Sequence, residues 1–418
     1  MIKFKYKTNI FIKRFYLLHV VANYLQRFKY AQAINSDSLP PAKLENRMNV
    51  ERESNSLQNK NHFTGFSFKH TIANLFPGYF ALVMATGIVS IASYLLKMHQ
   101  IAFLLLWLNI AFYSILMLLL LVRTIYYFPR IKEDLFSHQR GPGFFTLIAG
   151  TCVLGSQITI LLKNAVIAKL FLAAGVIFWL VIIYTFFMAI TIKRIKPPIE
   201  KGISGTWLIA TVATQSLAIL STLTTPFVSS PIVKELLLFF ALGGYLTGCI
   251  LYIVIISLII YRFSFFSLSP NELSAPYWIN MGAVAITTLA GSILVLNTKQ
   301  WFFLEDINGF LKGFTLFFWC AGTWWIPLLV LLGVWKHLTK KIPFPWTQKG
   351  YHPSYWGMVF PLGMYTACTF KLSEAIEIDF LMFIPKYFIF LGFAGWLMVF
   401  IGLVHDFFGN LFFNRHKT

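Results

Sequence analysis

Charge is scarce in this chain. Of its 418 residues only 12% are Asp, Glu, Lys or Arg, and 15 are acidic. Soluble domains carry about 25% charged residues, so a water-facing globule is excluded. Hydrophobic residues make up 57% of the chain and the mean hydropathy is +0.69. Cysteine is equally sparse. Cys152, Cys249, Cys320 and Cys368 have no paired spacing, which excludes a disulfide framework or a metal knuckle. All four fall in apolar runs and read as small packing residues. The alternating pattern of a membrane β-barrel is missing too.

What the chain does contain is a series of apolar runs near the roughly 20 residues that span a bilayer. Ten can be placed, at about 78–96, 101–122, 144–162, 167–191, 205–224, 235–260, 278–297, 311–334, 355–370 and 382–404. A backbone in lipid must satisfy its own hydrogen bonds, so these runs are predicted to be helices. The fold class expected is an all-α integral membrane protein. Residues 1–70 form a basic tail, 71–405 the membrane domain and 406–418 a short C-terminal tail. Lys13 and Arg14 interrupt the apolar part of the N-terminal segment, which argues against a signal peptide. An interfacial amphipathic helix is expected around residues 9–28, with a disordered polar stretch after it.

The net charge of +20 invites a nucleic-acid reading, but its distribution argues against one. With ten spans and the N-terminus inside, 27 of the 35 lysines and arginines lie on the inner side. Positive residues accumulate on the cytoplasmic side of membrane proteins, so both termini are expected there, in a cell (inner) membrane.

The odd-numbered spans open alike: "PGYFALVMATGI" at 77, "GPGFFTLIAGTCVL" at 141, "SGTWLIATVATQSL" at 204, "APYWINMGAVAITT" at 275 and "PSYWGMVFPLGMYT" at 353. Each has a breaker, then a pair ending in Phe80, Phe145, Trp207, Trp278 or Trp356, then small residues. The interval is one helical hairpin, so five similar hairpins are expected in a quasi-fivefold arrangement. Gly, Ala, Ser and Thr fill 34 of 70 positions in matched windows of the odd spans and 17 of 70 in the even ones. Small residues allow close helix approach and bulky ones suit lipid. Odd helices are therefore predicted inside and even helices outside, around either a tightly packed core or a narrow axial passage.

The motifs "FPGYFALVMATGIVSIA", "YWINMGAVAITTLAG" and "YWGMVFPLGMYT" resemble the tellurite-resistance/dicarboxylate transporter family, which includes slow-type plant anion channels and malate carriers. The resemblance covers about residues 72–405. It implies ten helices in five hairpins around a central pore, a homotrimer, and a pore blocked by a phenylalanine on the ninth helix, where Phe360 stands. The function it implies is transport of a small anion, a C4-dicarboxylate such as malate or an oxyanion such as tellurite or sulfite, with no cofactor.

Alignment of the inner helices on the second residue of each pair places Met84, Ala149, Thr211, Gly282 and Phe360 one turn deeper. Only Phe360 puts a ring there, and Pro361 is expected to bend the helix at that point. The alternative is an ordinary core phenylalanine. None of the five inner windows contains Asp, Glu, Lys, Arg or His. A proton-coupled pump or an intramembrane enzyme normally needs such groups at membrane depth. A coupled uptake carrier is thus the second reading, and a membrane enzyme, lacking a nucleophile–base pair or metal cluster, the remotest. Thr86, Thr151, Thr211, Thr214, Asn280, Thr287 and Thr366 could offer donors to an anion, with Gly87, Gly282 and Gly363 as small lining positions. Each threonine could instead serve helix packing. Lys371, roughly 16 Å beyond Phe360 along the helix, is a candidate for the outer mouth or else a snorkelling interface lysine.

Overall fold

The computed structural model describes residues 68–270, 272–339 and 351–412, all within one compact unit, Phe66–Thr418. The interfacial helix expected around residues 9–28 lies outside them. No strand occurs among the described residues. The long helices are α1 (Ala81–Leu95), α2 (His99–Tyr126), α3 (Phe145–Leu162), α4 (Ala165–Ile192), α5 (Ile209–Thr224), α6 (Pro231–Phe265), α7 (Ile279–Leu296), α8 (Asn308–Thr339), α9 (Trp356–Ile376) and α10 (Phe383–Phe412). Nine helices among the described residues are long and apolar enough to cross a membrane, and α9 is not one of them. α9 carries Pro361, Thr366, Thr369, Lys371 and Glu374. Such polar content is tolerated because the helix meets protein on most sides instead of lipid.

The breaker-plus-aromatic motifs do not begin the α-helices directly. They form 3-10 turns, at Pro77–Phe80, Gly141–Phe144, Gly205–Leu208, Ala275–Trp278 and Pro353–Tyr355, and each runs straight into an odd helix. Proline at the start of four of them supplies a fixed φ and gives up an N–H that would have no partner anyway.

The division into inner and outer helices is as the small-residue pattern predicts. Apolar windows of α1, α3, α5 and α7 are 83–94% buried, against 22–39% for the even helices. The odd helices pack in a cycle, α1 on α3, α3 on α5, α5 on α7, α7 on α9 and α9 back on α1, and the five 3-10 turns touch one another in the same order. Each even helix packs on its hairpin partner and on the next odd helix.

Glycines set the closest approaches. A Cβ on Gly282 of α7 would lie 2.6 Å from Pro361 Cγ of α9, and one on Gly363 would lie 2.9 Å from Val89 Cγ2 of α1. A Cβ on Gly87 of α1 would meet Val153 of α3 at 2.7 Å. Of the four cysteines, Cys152, Cys249 and Cys368 are buried as expected, whereas Cys320 is exposed on α8, an outer helix.

Candidate functional site

The odd helices all begin at one end of the molecule, around a single recess. Its walls come from all five starts: Gly78, Ala81 and Met84; Gly143 and Thr146; Thr206, Ile209 and Val212; Pro276 and Ile279; Ser354, Gly357 and Phe360. The spacing within each set is three residues. This follows from the 3-10 entry, in which residues three apart eclipse one another on one face. Phe76 and Gln139 complete the rim. Phe360 is 1% exposed and is the one aromatic ring contributed by an inner α-helix.

This frame corrects the third helix by one residue. Val212, not Thr211, stands beside Met84 and Phe360. The Trp207 indole explains the slip, because its Nε1–H is shared by the carbonyls of His138 and Gly202, each at 3.0 Å. The ring is anchored to the loop, and the 3-10 turn ends one residue later, at Leu208. The positions one or two residues past each aromatic pair (Ala81, Thr146, Ile209, Ile279, Gly357) were missed, although the three-residue spacing that marks them is present in the sequence.

Several candidate threonines are committed between helices. Trp396 of α10 donates from Nε1 to Thr86 Oγ1 on α1 at 3.0 Å, and Trp179 of α4 donates to Thr214 Oγ1 on α5 at 2.9 Å. Tyr113 of α2 donates to Thr151 Oγ1 on α3 at 3.0 Å, since that hydroxyl itself donates to Leu147 O. In the corrected register Thr86, Thr151 and Thr214 are equivalent, two residues beyond Met84, Ala149 and Val212. Trp319 of α8 holds Thr369 on α9 in the same outer-to-next-inner sense. Thr287 and Thr366 bond back to carbonyls of their own helices.

Thr211 and Asn280 differ. The Thr211 hydroxyl and both amide atoms of Asn280 are buried without a hydrogen-bond partner among the described residues. Leaving a buried polar group unmet costs about 1–3 kcal/mol, so these are the polar side chains in the candidate set with free capacity. Gly87, Gly282 and Gly363 lie at helix contacts as described above. Lys371 donates to Glu374 at 2.7 Å and sits over the Phe370 ring, so its charge is largely met locally.

At the rim, Arg140 binds Asp134 through two nitrogens, at 2.5 and 3.1 Å, and Arg123 binds the same carboxylate at 2.7 Å. The Arg140 guanidinium lies 5.9 Å from the Phe76 ring, which meets His352 edge-on. His352 Nδ1 accepts the Ser354 N–H at 3.1 Å, capping the turn that leads into α9. Among the described residues the other four turns have no side-chain cap.

Known proteins resemble this chain over most of the described helices. The profile of the SLAC1 family, described as voltage-dependent anion channels, matches residues 74–404. An uncharacterized transporter of Methanocaldococcus jannaschii, MJ0762, is 25% identical over 82% of this chain and 97% of its own length. A second from that organism, MJ0576, is 26% identical over 75% of this chain and 88% of its own. An uncharacterized membrane protein of Mycobacterium tuberculosis, Rv1735c, is 33% identical over 37% of this chain and 76% of its own. Nearly the whole set of long helices falls inside the matched range, and the chain belongs to the SLAC1 family of membrane anion channels.

Proposed function

We propose that this protein conducts a small anion, a C4-dicarboxylate or an oxyanion, along the axis of ten membrane-spanning helices arranged as five hairpins in quasi-fivefold order. In this reading α9 crosses as well, bringing the spans to ten, and Phe360 closes the passage, with Met84 beside it. Pro361, seated on Gly282, fixes the position of that part of α9. The assembly is a homotrimer in a cell membrane with both termini cytoplasmic, and the recess is the inner mouth.

The observation that carries the reading is the convergence of five helix N-termini on one recess whose described lining includes no charged side chain. Each N-terminus bears about half a positive charge. Together they favour an anion at the mouth while offering no fixed cation to trap it, and weak binding suits conduction. Thr211 and Asn280, next to the recess-lining Val212 and Ile279, are the proposed polar contacts, because their hydrogen-bonding capacity is unspent. Lys371, already paired with Glu374, adds less field at the outer mouth.

The test is anion efflux from liposomes holding matched amounts of folded protein, with chloride, nitrate, sulfite, tellurite, malate and succinate in turn. Phe360→Ala should raise efflux of the transported anion well above wild type, and Phe360→Leu should fall between. Unchanged or lower flux per folded Phe360→Ala molecule refutes the gate. Flux that requires a pH gradient would replace conduction with proton-coupled uptake.

A further inference from the structure

A second recess lies at the same end of the molecule, outside the ring of 3-10 turns. It has a volume of about 230 Å³ and is bordered by the outer helices α8 and α10 together with α9 and the Ala275–Trp278 turn. Leu329, Met358 and Met398 form its apolar part, Trp278 and Tyr355 flank it, and Lys336 stands at its edge. Lys336 is half-buried. Its ammonium donates to Leu273 O at 2.7 Å and has no carboxylate within ion-pair distance among the described residues. An ammonium has three donors, so two are left without a partner among the described residues. Lys336 also lies at the boundary of the apolar span, which ends at Leu338, and exposed Leu331, Val334 and Leu338 mark the lipid-facing side of that helix turn.

We infer that this recess holds an anionic phospholipid, its phosphate on Lys336 and the start of one acyl chain over Leu329, Met358 and Met398. The chemistry is matched at each level. Tryptophan and tyrosine occupy the headgroup depth, where amphipathic rings are favoured. A basic side chain at that depth attracts an anionic headgroup. Below it the wall is apolar and flexible, since methionine adapts to an irregular chain. The inference needs only that the protein is embedded in a bilayer. It does not depend on which anion is conducted.

The experiment uses the full chain in nanodiscs of phosphatidylcholine with and without phosphatidylglycerol, read by thermal unfolding, and native mass spectrometry of lipid retained in detergent. Wild type should be stabilised by phosphatidylglycerol and should retain it in preference to phosphatidylcholine. Lys336→Gln should weaken that retention about fivefold, as expected for one basic residue near the headgroups, while Lys336→Arg should preserve it. Met398→Trp leaves the charge in place and fills the apolar part, so it should also lose the lipid, which keeps the test valid if Lys336→Gln does not fold. Lys201→Gln, an exposed lysine elsewhere, should change nothing. The proposal is overturned if phosphatidylglycerol has no effect on wild type, as when another part of the chain fills the recess. It is equally overturned if both variants keep the wild-type preference, or if inorganic phosphate stabilises as well as the lipid does.

Discussion

Pro361 and Gly282 are two halves of one contact. A proline inside a helix forfeits a hydrogen bond and costs about 3 kcal/mol or more, yet α9 continues through Pro361 to Ile376. The ring lies where Gly282 has no side chain, so the proline recovers packing that any larger residue at 282 would deny it. Gly282→Ala would put a methyl 2.6 Å from Pro361 Cγ and should destabilise by about 1–3 kcal/mol, the usual cost of overpacking. Thermal unfolding checks this, and Pro361→Ala in the same chain should restore part of the loss, because neighbours couple. Thr86 gives a second test at this scale. Thr86→Val keeps the shape but removes the acceptor of the Trp396 indole, stranding an N–H at a cost of about 1–3 kcal/mol. If Thr86 served only the axis, the melting temperature would hardly move.

The start of α9 differs from the other four inner helices because a titratable side chain caps it. His352 must be unprotonated at Nδ1 to accept the Ser354 N–H. Partial burial of its ring, and then the positive charge of Arg140, hold its pKa below the ordinary value. The folded protein therefore binds fewer protons than the unfolded chain once pH falls below about 6.5. Stability should be flat above that point and decline as pH drops toward the lowered value. His138, held low by burial and then by Lys193 and Lys196, contributes with the same sign. His352→Gln should flatten part of the decline in melting temperature between about pH 8 and pH 5, leaving the His138 part. An unaltered profile would show that the cap does not titrate. At this scale the sequence was informative about which helices are inner, because a helix enclosed by others needs small side chains all round. The register of α5 was not legible. It depends on where the Trp207 indole finds its acceptors, and those are the carbonyls of His138 and Gly202, the first of them 69 residues away. That Thr86, Thr151 and Thr214 could serve packing was legible; their partners were not, since these lie on outer helices of other hairpins.

The closed cycle of inner helices has a topological consequence for the whole molecule. All five begin at one recess, so every odd-to-even connection lies at one end and every even-to-odd connection at the other. The repeat interval of one hairpin made this parallel arrangement legible; the recess itself was not, because it is formed by turns that come together only in the folded ring. Leaving the N-terminal tail aside, the ten-span reading puts 15 lysines and arginines on the side where the odd helices start and 8 on the other, the bias from which a cytoplasmic recess is proposed. Lys163 ends α3 in a left-handed conformation with φ 51°, and Lys201 precedes the third 3-10 turn; both are exposed. With the exposed Cys320 changed to serine, Lys163→Cys should react with a membrane-impermeant maleimide in intact cells. Lys201→Cys should react only after the membrane is opened. The two sites are separated by α4 alone, so labelling of both from one side would mean that α4 does not cross, and the five-hairpin arrangement would fail with it. Labelling of Lys201→Cys alone in intact cells would keep the hairpins and invert the protein, turning the recess to the outside.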